Sequence, residues 1–334
     1  MCSGSSISNF NMIQRFFLFV ICLIIVLFSL DKAIKFLLLK NINFKSAYIA
    51  KHPIEADIII HGPCEPEWMI DPSIIDSKVG SKTYNLSLNH SDFADNYLHL
   101  YLYLKHQKAP QYLFLYATPV SFDEKLANTF NTYRFAPFIR DSIVYKTVKE
   151  NDPSYAKYSF IPVMRFAYYS DFTYLKAIQG GYYFLTNRIN VEHPDGYAPA
   201  LSSWNTAISE YRANHSYFKK MNWSNLREKY FRKTIELAQS KEIKVIIYES
   251  PIYKPDEAQL VNRKVMMDKI KSVTDNYKVP FLVFDTLAMA NNRENFFSTY
   301  NTTYKGSCEF SSYFANYIKN NIYKKGNVLT ALPQ

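Results

Sequence analysis

The chain has 334 residues, 48% of them hydrophobic and 17% aromatic, with 28 Tyr and 25 Phe, so it can bury a substantial core and intrinsic disorder is excluded. The net charge of +10 comes from Lys and Arg scattered without a basic run or nucleic-acid motif. That excludes a nucleic-acid partner and leaves a basic solvated surface, near anionic lipid or glycan.

The first element is an uninterrupted apolar run over 16–30, followed after Asp31-Lys32 by an apolar patch at 36–39. The run is short for a bilayer, but snorkelling Arg15 and Lys32 and a few flanking residues make up the length. No small-x-small cleavage site follows it, since the chain continues Ser29-Leu30-Asp31-Lys32. Residues 1–15 therefore read as a tail and 16–40 as one N-terminal transmembrane helix that contacts membrane lipid. Lys32, Lys35, Lys40 and Lys45 outnumber Arg15 across this span and oppose a simple positive-inside orientation.

Residues 46–322 alternate strands and helices. Asp57-Ile58-Ile59-Ile60 is a β-branched run of the buried parallel kind, ended abruptly by His61-Gly62-Pro63-Cys64. Further strands are predicted at 82–86, 112–117, 244–248 and 281–285, and helices at 93–106, 226–241, 257–276 and 308–321. This spacing predicts the α/β class, a three-layer flavodoxin-like sandwich with a five-stranded parallel sheet. The stretch 119–224 breaks the rhythm with many Tyr, Phe, Pro and Asn and with turn signals at Gly180-Gly181 and Pro194-Asp195-Gly196, so it is read as an inserted cap. Its aromatics either wall a crevice or pack a small core of their own. Residues 323–334 are a C-terminal tail.

In an open α/β sheet ligands bind at the carboxyl ends of the strands, which puts Cys64 on the likeliest functional edge. A Cys nucleophile needs a base. All seven His (52, 61, 90, 99, 106, 193 and 215) precede residue 216. His90 follows the second strand and would reach the same edge, and His61 is three residues from Cys64; the alternative for either is an ordinary hydrogen-bonding role. Glu65, Glu67 and Asp71 have no His at ligand spacing and no glycine loop cradles phosphate, so neither metal nor cofactor is expected.

Gly62-Pro63-Cys64 and Met69-Ile70-Asp71-Pro72-Ser73 resemble the first conserved block of the SGNH (GDSL-like) hydrolases. The likeness is to the membrane-anchored, cell-surface branch that includes D-alanyl transfer and alginate O-acetylation proteins. There the strand ends in Gly-x-Ser with a nucleophilic Ser, whose position Cys64 takes. The late Asp-x-x-His block of that family matches Ser298 to Ser311, where Gly306 and Phe310-Ser311 are kept. Its acid position reads Ser298 and its base position Asn301, and neither takes a proton near neutral pH. The family's oxyanion donors after the second and third strands correspond to Ser87 and Thr118. Tyr248-Glu249-Ser250-Pro251 resembles the family's segment after the fourth strand.

The resemblance implies an extracytoplasmic domain and a catalytically impaired protein. Its role would be binding or assembly in cell-surface polysaccharide or lipid acylation or export, with a glycan or partner acyltransferase as its ligand. The alternative is an acyl transferase or esterase using Cys64 with His90 as substitute base. Cys2 and Cys22 lie in or before the anchor, and Cys64 and Cys308 fall in the two matching blocks. These two are either a disulfide across the crevice or unrelated thiols. Asn-x-Ser/Thr sequons occur at Asn85, Asn89, Asn214, Asn222 and Asn301.

Overall fold

The computed structural model describes residues 12–125, 130–167, 171–188, 191, 194–200, 220–257, 260–324 and 327–328. Cys2, His193, Asn214, parts of the predicted cap and most of the C-terminal tail lie outside the described residues. The chain divides into two compact units, one of residues 1–48 with 132–189 and one of 49–131 with 190–334.

The first unit is helical. Its α1 (Met12–Leu39) joins the apolar run and the 36–39 patch in one continuous helix, long and apolar enough to cross a membrane. At about 1.5 Å per residue its 28 residues reach about 42 Å, beyond the roughly 30 Å of a hydrocarbon core. Helix α2 (Lys45–Lys51) carries the chain from this unit to the next.

The second unit then builds the sheet. In chain order β1 (Ile58–His61), α3 (Cys64–Met69), α4 (Pro72–Val79), β2 (Thr83–Asn85), α5 (Phe93–His106) and β3 (Tyr112–Tyr116) follow. Asp71-Pro72-Ser73 starts α4, the Asp71 side chain accepting from the Ser73 N–H and Pro72 sitting where no N–H is needed. Asp92 and Asp95 form a capping box at the start of α5.

The chain returns to the first unit for α6 (Ser142–Asn151), α7 (Pro153–Tyr158), α8 (Met164–Ala167) and α9 (Asp171–Leu185). The Gly180-Gly181 turn signal is corrected here. Both glycines lie inside α9, where a Cβ on Gly180 would sit 1.9 Å from the Leu37 carbonyl oxygen of α1. The glycine is there to let two helix backbones meet, not to turn the chain.

Back in the second unit are α10 (Asn225–Gln239), β4 (Lys244–Glu249), α11 (Lys254–Glu257), α12 (Arg263–Asn276) and β5 (Phe281–Val283). A short antiparallel hairpin, β6 (Phe296–Ser298) and β7 (Asn301–Thr302), precedes the last helix, α13 (Tyr304–Asn321). The predicted helix at 257–276 is shorter at its start, and the last helix begins one turn before Cys308 because Thr303 caps it through the Gly306 N–H.

The five strands form one parallel sheet in the order β2-β1-β3-β4-β5, as the α/β reading requires. Alternation along the strands gives it two buried faces. Ile58, Ile60, Phe114, Tyr116, Ile246 and Tyr248 share one core with Phe310 and Phe314 of α13 and Ile75 of α4. Ile59, Leu113, Leu115 and Ile247 are fully buried on the opposite face, the side on which α5 and α10 pack together and α10 reaches β4. Each fully buried Phe contributes about 1.5–3 kcal/mol of apolar burial. The order reverses between β1 and β3, so the crevice falls at the carboxyl ends of those two strands.

Candidate functional site

Cys64 is positioned by that switch point. After β1 the chain turns through Gly62, where a Cβ would lie 2.7 Å from the Tyr116 Cβ and 2.8 Å from Pro66, so only glycine lets α3 fold back against the strand end. Asn85, at the end of β2, fixes the helix from the side. Its Nδ2 donates to the carbonyls of Pro66 (2.8 Å) and Ile70 (3.0 Å), while its Oδ1 accepts from the Ser87 N–H (3.1 Å). From below, Ser307 and Ser311 on α13 both donate to the Met69 carbonyl, at 3.0 and 3.1 Å. The end of α3 is thus clamped by buried hydrogen bonds that tolerate little movement.

The thiol opens on a cavity of about 350 Å³. One wall is Cys64, Glu65 and Trp68 of α3, a second is His90 to Phe93, a third Val120 and Ser121 after β3, and the fourth the β6–β7 hairpin with Phe297, Ser298, Tyr300 and Asn301. Trp68 and Phe297 lie against each other at 5.6 Å between ring centres. Arg227 of α10 also reaches the cavity, where it donates to the Ser121 carbonyl at 3.2 Å and faces the half-buried Asp92. The lining is aromatic with a few fixed polar groups, the usual make-up of a small-molecule site.

The positions aligned with an acid and a base come together. Asn301 Nδ2 donates to Ser298 Oγ at 2.9 Å, both residues are buried, and β7 packs on α3. Asn301 Oδ1 is buried with no hydrogen-bond partner among the described residues. Neither side chain of this pair can accept a proton near neutral pH.

The Cys64 thiol itself is poorly prepared to attack. Burial raises its pKa well above the ordinary range, and the neighbouring Glu65 carboxylate, which accepts from Sγ at 3.4 Å, and then Glu67 raise it further. A helix N-terminus normally favours a thiolate, but here the first turn carries both carboxylates and the opposite result follows. The backbone N–H of His90, which points at the sulfur, counteracts this. That amide is turned inward because His90 occupies the left-handed region at φ 48°, which leaves the residue itself exposed. His90, read as a possible substitute base, lines the same cavity as Cys64 and meets the sulfur through its amide.

The other sequence expectations fare unevenly. Thr118 donates its hydroxyl to Glu249 at 2.8 Å and the Ser87 N–H donates to Asn85 Oδ1 at 3.1 Å, so these groups of the two predicted oxyanion donors are engaged within the fold. His61 is buried beneath the sheet edge with Nε2 at 2.8 Å from the Asn96 carbonyl, a structural role. Cys64 and Cys308 are both free thiols, which removes the disulfide. Cys308 lies on α13 in hydrogen-bonding contact with the Tyr304 hydroxyl, one turn away, because the helix starts early enough to carry it there. Two sequons are closed as well, since Asn85 and Asn301 are buried. Sequence reasoning missed Asn85, Trp68, Phe297 and Arg227; an Asn ending a strand was the one local signal available.

A direct check is alkylation of Cys64 by iodoacetamide near neutral pH. We expect a rate at least about tenfold below that of a small free thiol, a gain in Glu65→Gln and no change in His90→Ala. Fast labelling that collapses in His90→Ala is the contrary result and would restore a Cys–His nucleophile.

These features define a doubly wound α/β protein with an aromatic crevice at its topological switch point. Scanned against protein-family models and searched against curated proteins, the chain matches none of them.

Proposed function

We propose that this is a membrane-anchored protein of SGNH-hydrolase type whose crevice binds a cell-envelope ligand without hydrolysing it. The ligand we infer is an acylated glycan or lipid headgroup, and the role is binding or assembly in acylation or export, with the second unit outside the cytoplasm. The reading is carried by one observation. Beside a thiol held protonated by burial and by Glu65, the acid and base positions hold Ser298 and Asn301, which bond to each other. A pocket of that kind retains recognition and lacks the proton transfer that acyl chemistry needs.

The cavity's composition supports a ligand with both faces and hydroxyls. Trp68, Phe297 and Tyr300 offer ring faces to a sugar or acyl chain, and Asn301 Oδ1 offers an acceptor already stripped of water. The test is a titration of the full chain in detergent with an N-acetylated chito-oligosaccharide, followed by tryptophan fluorescence, beside an assay with p-nitrophenyl acetate. Expected are saturable quenching, its loss by roughly tenfold or more in affinity for Asn301→Leu, where a buried hydrogen bond disappears, and no ester turnover above background. An acetyl adduct on Cys64 recovered by mass spectrometry would overturn the binding role in favour of catalysis.

A further inference from the structure

The first unit carries apolar surface that its own packing does not explain. Helix α9 uses one face against α1: Ala177 and Tyr183 are buried, Gly180 meets Leu37, Asn41 Nδ2 donates to the Lys176 carbonyl at 2.7 Å, and the rings of Phe36 and Phe184 lie 5.2 Å apart. On another face Leu175, Ile178, Tyr182 and Leu185 are 61%, 67%, 52% and 81% exposed. Their spacing of three, four and three residues makes them one stripe along the helix. A helix that is apolar on its packed face and again on its open face is not built for water on the open side.

The position of the stripe names its solvent. Lys176 lies opposite Asn41, Gly180 opposite Leu37 and Phe184 opposite Phe36, so α9 runs antiparallel to α1 and its C-terminal end points back toward Leu30, where the exposed apolar run of α1 ends. A second segment arrives at the same level. The Val163 N–H donates to Asp31 Oδ1 at 3.1 Å and Arg165 pairs with the same carboxylate, which brings Phe160, Ile161 and Met164, 47%, 47% and 40% exposed, beside the residue that follows the apolar run. Lys40 lies over the rings of both Phe36 and Phe184, at 5.4 and 5.2 Å, and Lys32 is exposed next to Asp31. Aromatic and aliphatic side chains among lysines at the end of a spanning run are what the headgroup zone of a bilayer selects.

We propose that the open face of α9 and the 160–164 loop are seated in the interfacial layer of the same membrane that α1 enters, so that the protein holds the lipid surface with three segments. The inference rests on reading α1 as the membrane span, and the lipid is chosen over a protein partner because the stripe continues toward α1's own lipid-facing surface.

The test uses the full chain in vesicles of phosphatidylcholine and phosphatidylglycerol, with all four native cysteines, Cys2, Cys22, Cys64 and Cys308, replaced by Ser. An environment-sensitive fluorophore is placed by Ile178→Cys, Leu185→Cys, Val26→Cys on α1 or Lys264→Cys, whose side chain is 87% exposed in the second unit. Expected is quenching at 178 and 185 by lipids bearing a nitroxide near the headgroup, quenching at 26 by a mid-chain nitroxide, and none at 264. Quenching at 26 without quenching at 178 and 185 overturns this inference and leaves the span intact. Absence of quenching at 26 removes the span and the inference with it. Cross-linking of 178 to a second copy, without lipid quenching, assigns the face to self-association and also overturns it.

Discussion

Asp31→Ala is expected to destabilise the helical unit by about 3–5 kcal/mol, the cost of leaving a buried cation without its partner. Asp31 and Arg165 are 9% and 4% exposed as side chains, and the pair is bidentate, with Nε donating to Oδ1 at 2.8 Å and Nη2 to Oδ2. The same carboxylate also takes the Val163 N–H, so its loss strands one guanidinium and one amide. The double variant Asp31→Leu/Arg165→Met removes both charges at similar volume and is expected to recover most of the stability, because the desolvation of the ions disappears with their attraction. Chemical unfolding of the full chain in detergent, with limited proteolysis between residues 132 and 189 as a second readout, measures both. A cost below about 1 kcal/mol for Asp31→Ala would mean that the pair is hydrated and behaves as a surface bridge.

Stability of the α/β unit is expected to fall by roughly 3 kcal/mol between about pH 4.5 and about pH 7 through Glu249 alone. Glu249 ends β4 fully buried, and burial raises its pKa from 4.5 to about 7. Arg263 opposes that shift at 2.6 Å and Thr118 donates at 2.8 Å, but the guanidinium is shared with Glu257 at 3.1 Å and Asp285 at 3.2 Å. The sign follows from proton counting. Between the two pKa values the folded state keeps the proton and the unfolded chain has released it, so raising the pH favours unfolding until Glu249 ionises in the native state, and the effect is flat above. Glu249→Gln cannot titrate and should lose this part of the slope, ending more stable than the wild type at pH 8. Urea unfolding of both forms from pH 4.5 to 8 isolates the residue by difference. Parallel curves would show that Glu249 is ionised throughout and fully compensated by Arg263.

The strand and helix alternation was legible because it is local. β-branched runs such as Ile58-Ile59-Ile60 and capped amphipathic segments such as Phe93–His106 declare their state within a few residues, and the five strands and their parallel sheet followed. Gly180-Gly181 misled for the same reason. Glycine reads as a turn in one dimension, and its use as a contact between α9 and α1 depends on a helix more than a hundred residues earlier.

The site divides along the same line. From the sequence alone came Cys64 at the end of a buried strand, the absence of a His in the last third of the chain, and Ser298 and Asn301 at the acid and base positions of the late block, residues that the structure then places on one hairpin. Those are properties of residue type and order. Tertiary structure alone decided that His90 meets the sulfur with its amide, that Cys308 faces Tyr304 instead of Cys64, and that Asn85 and two serines of α13 hold α3 in place. Each of these turns on the direction of a side chain within a few ångströms. Packing sets such directions from every neighbouring segment at once, and no window of sequence contains all of those neighbours.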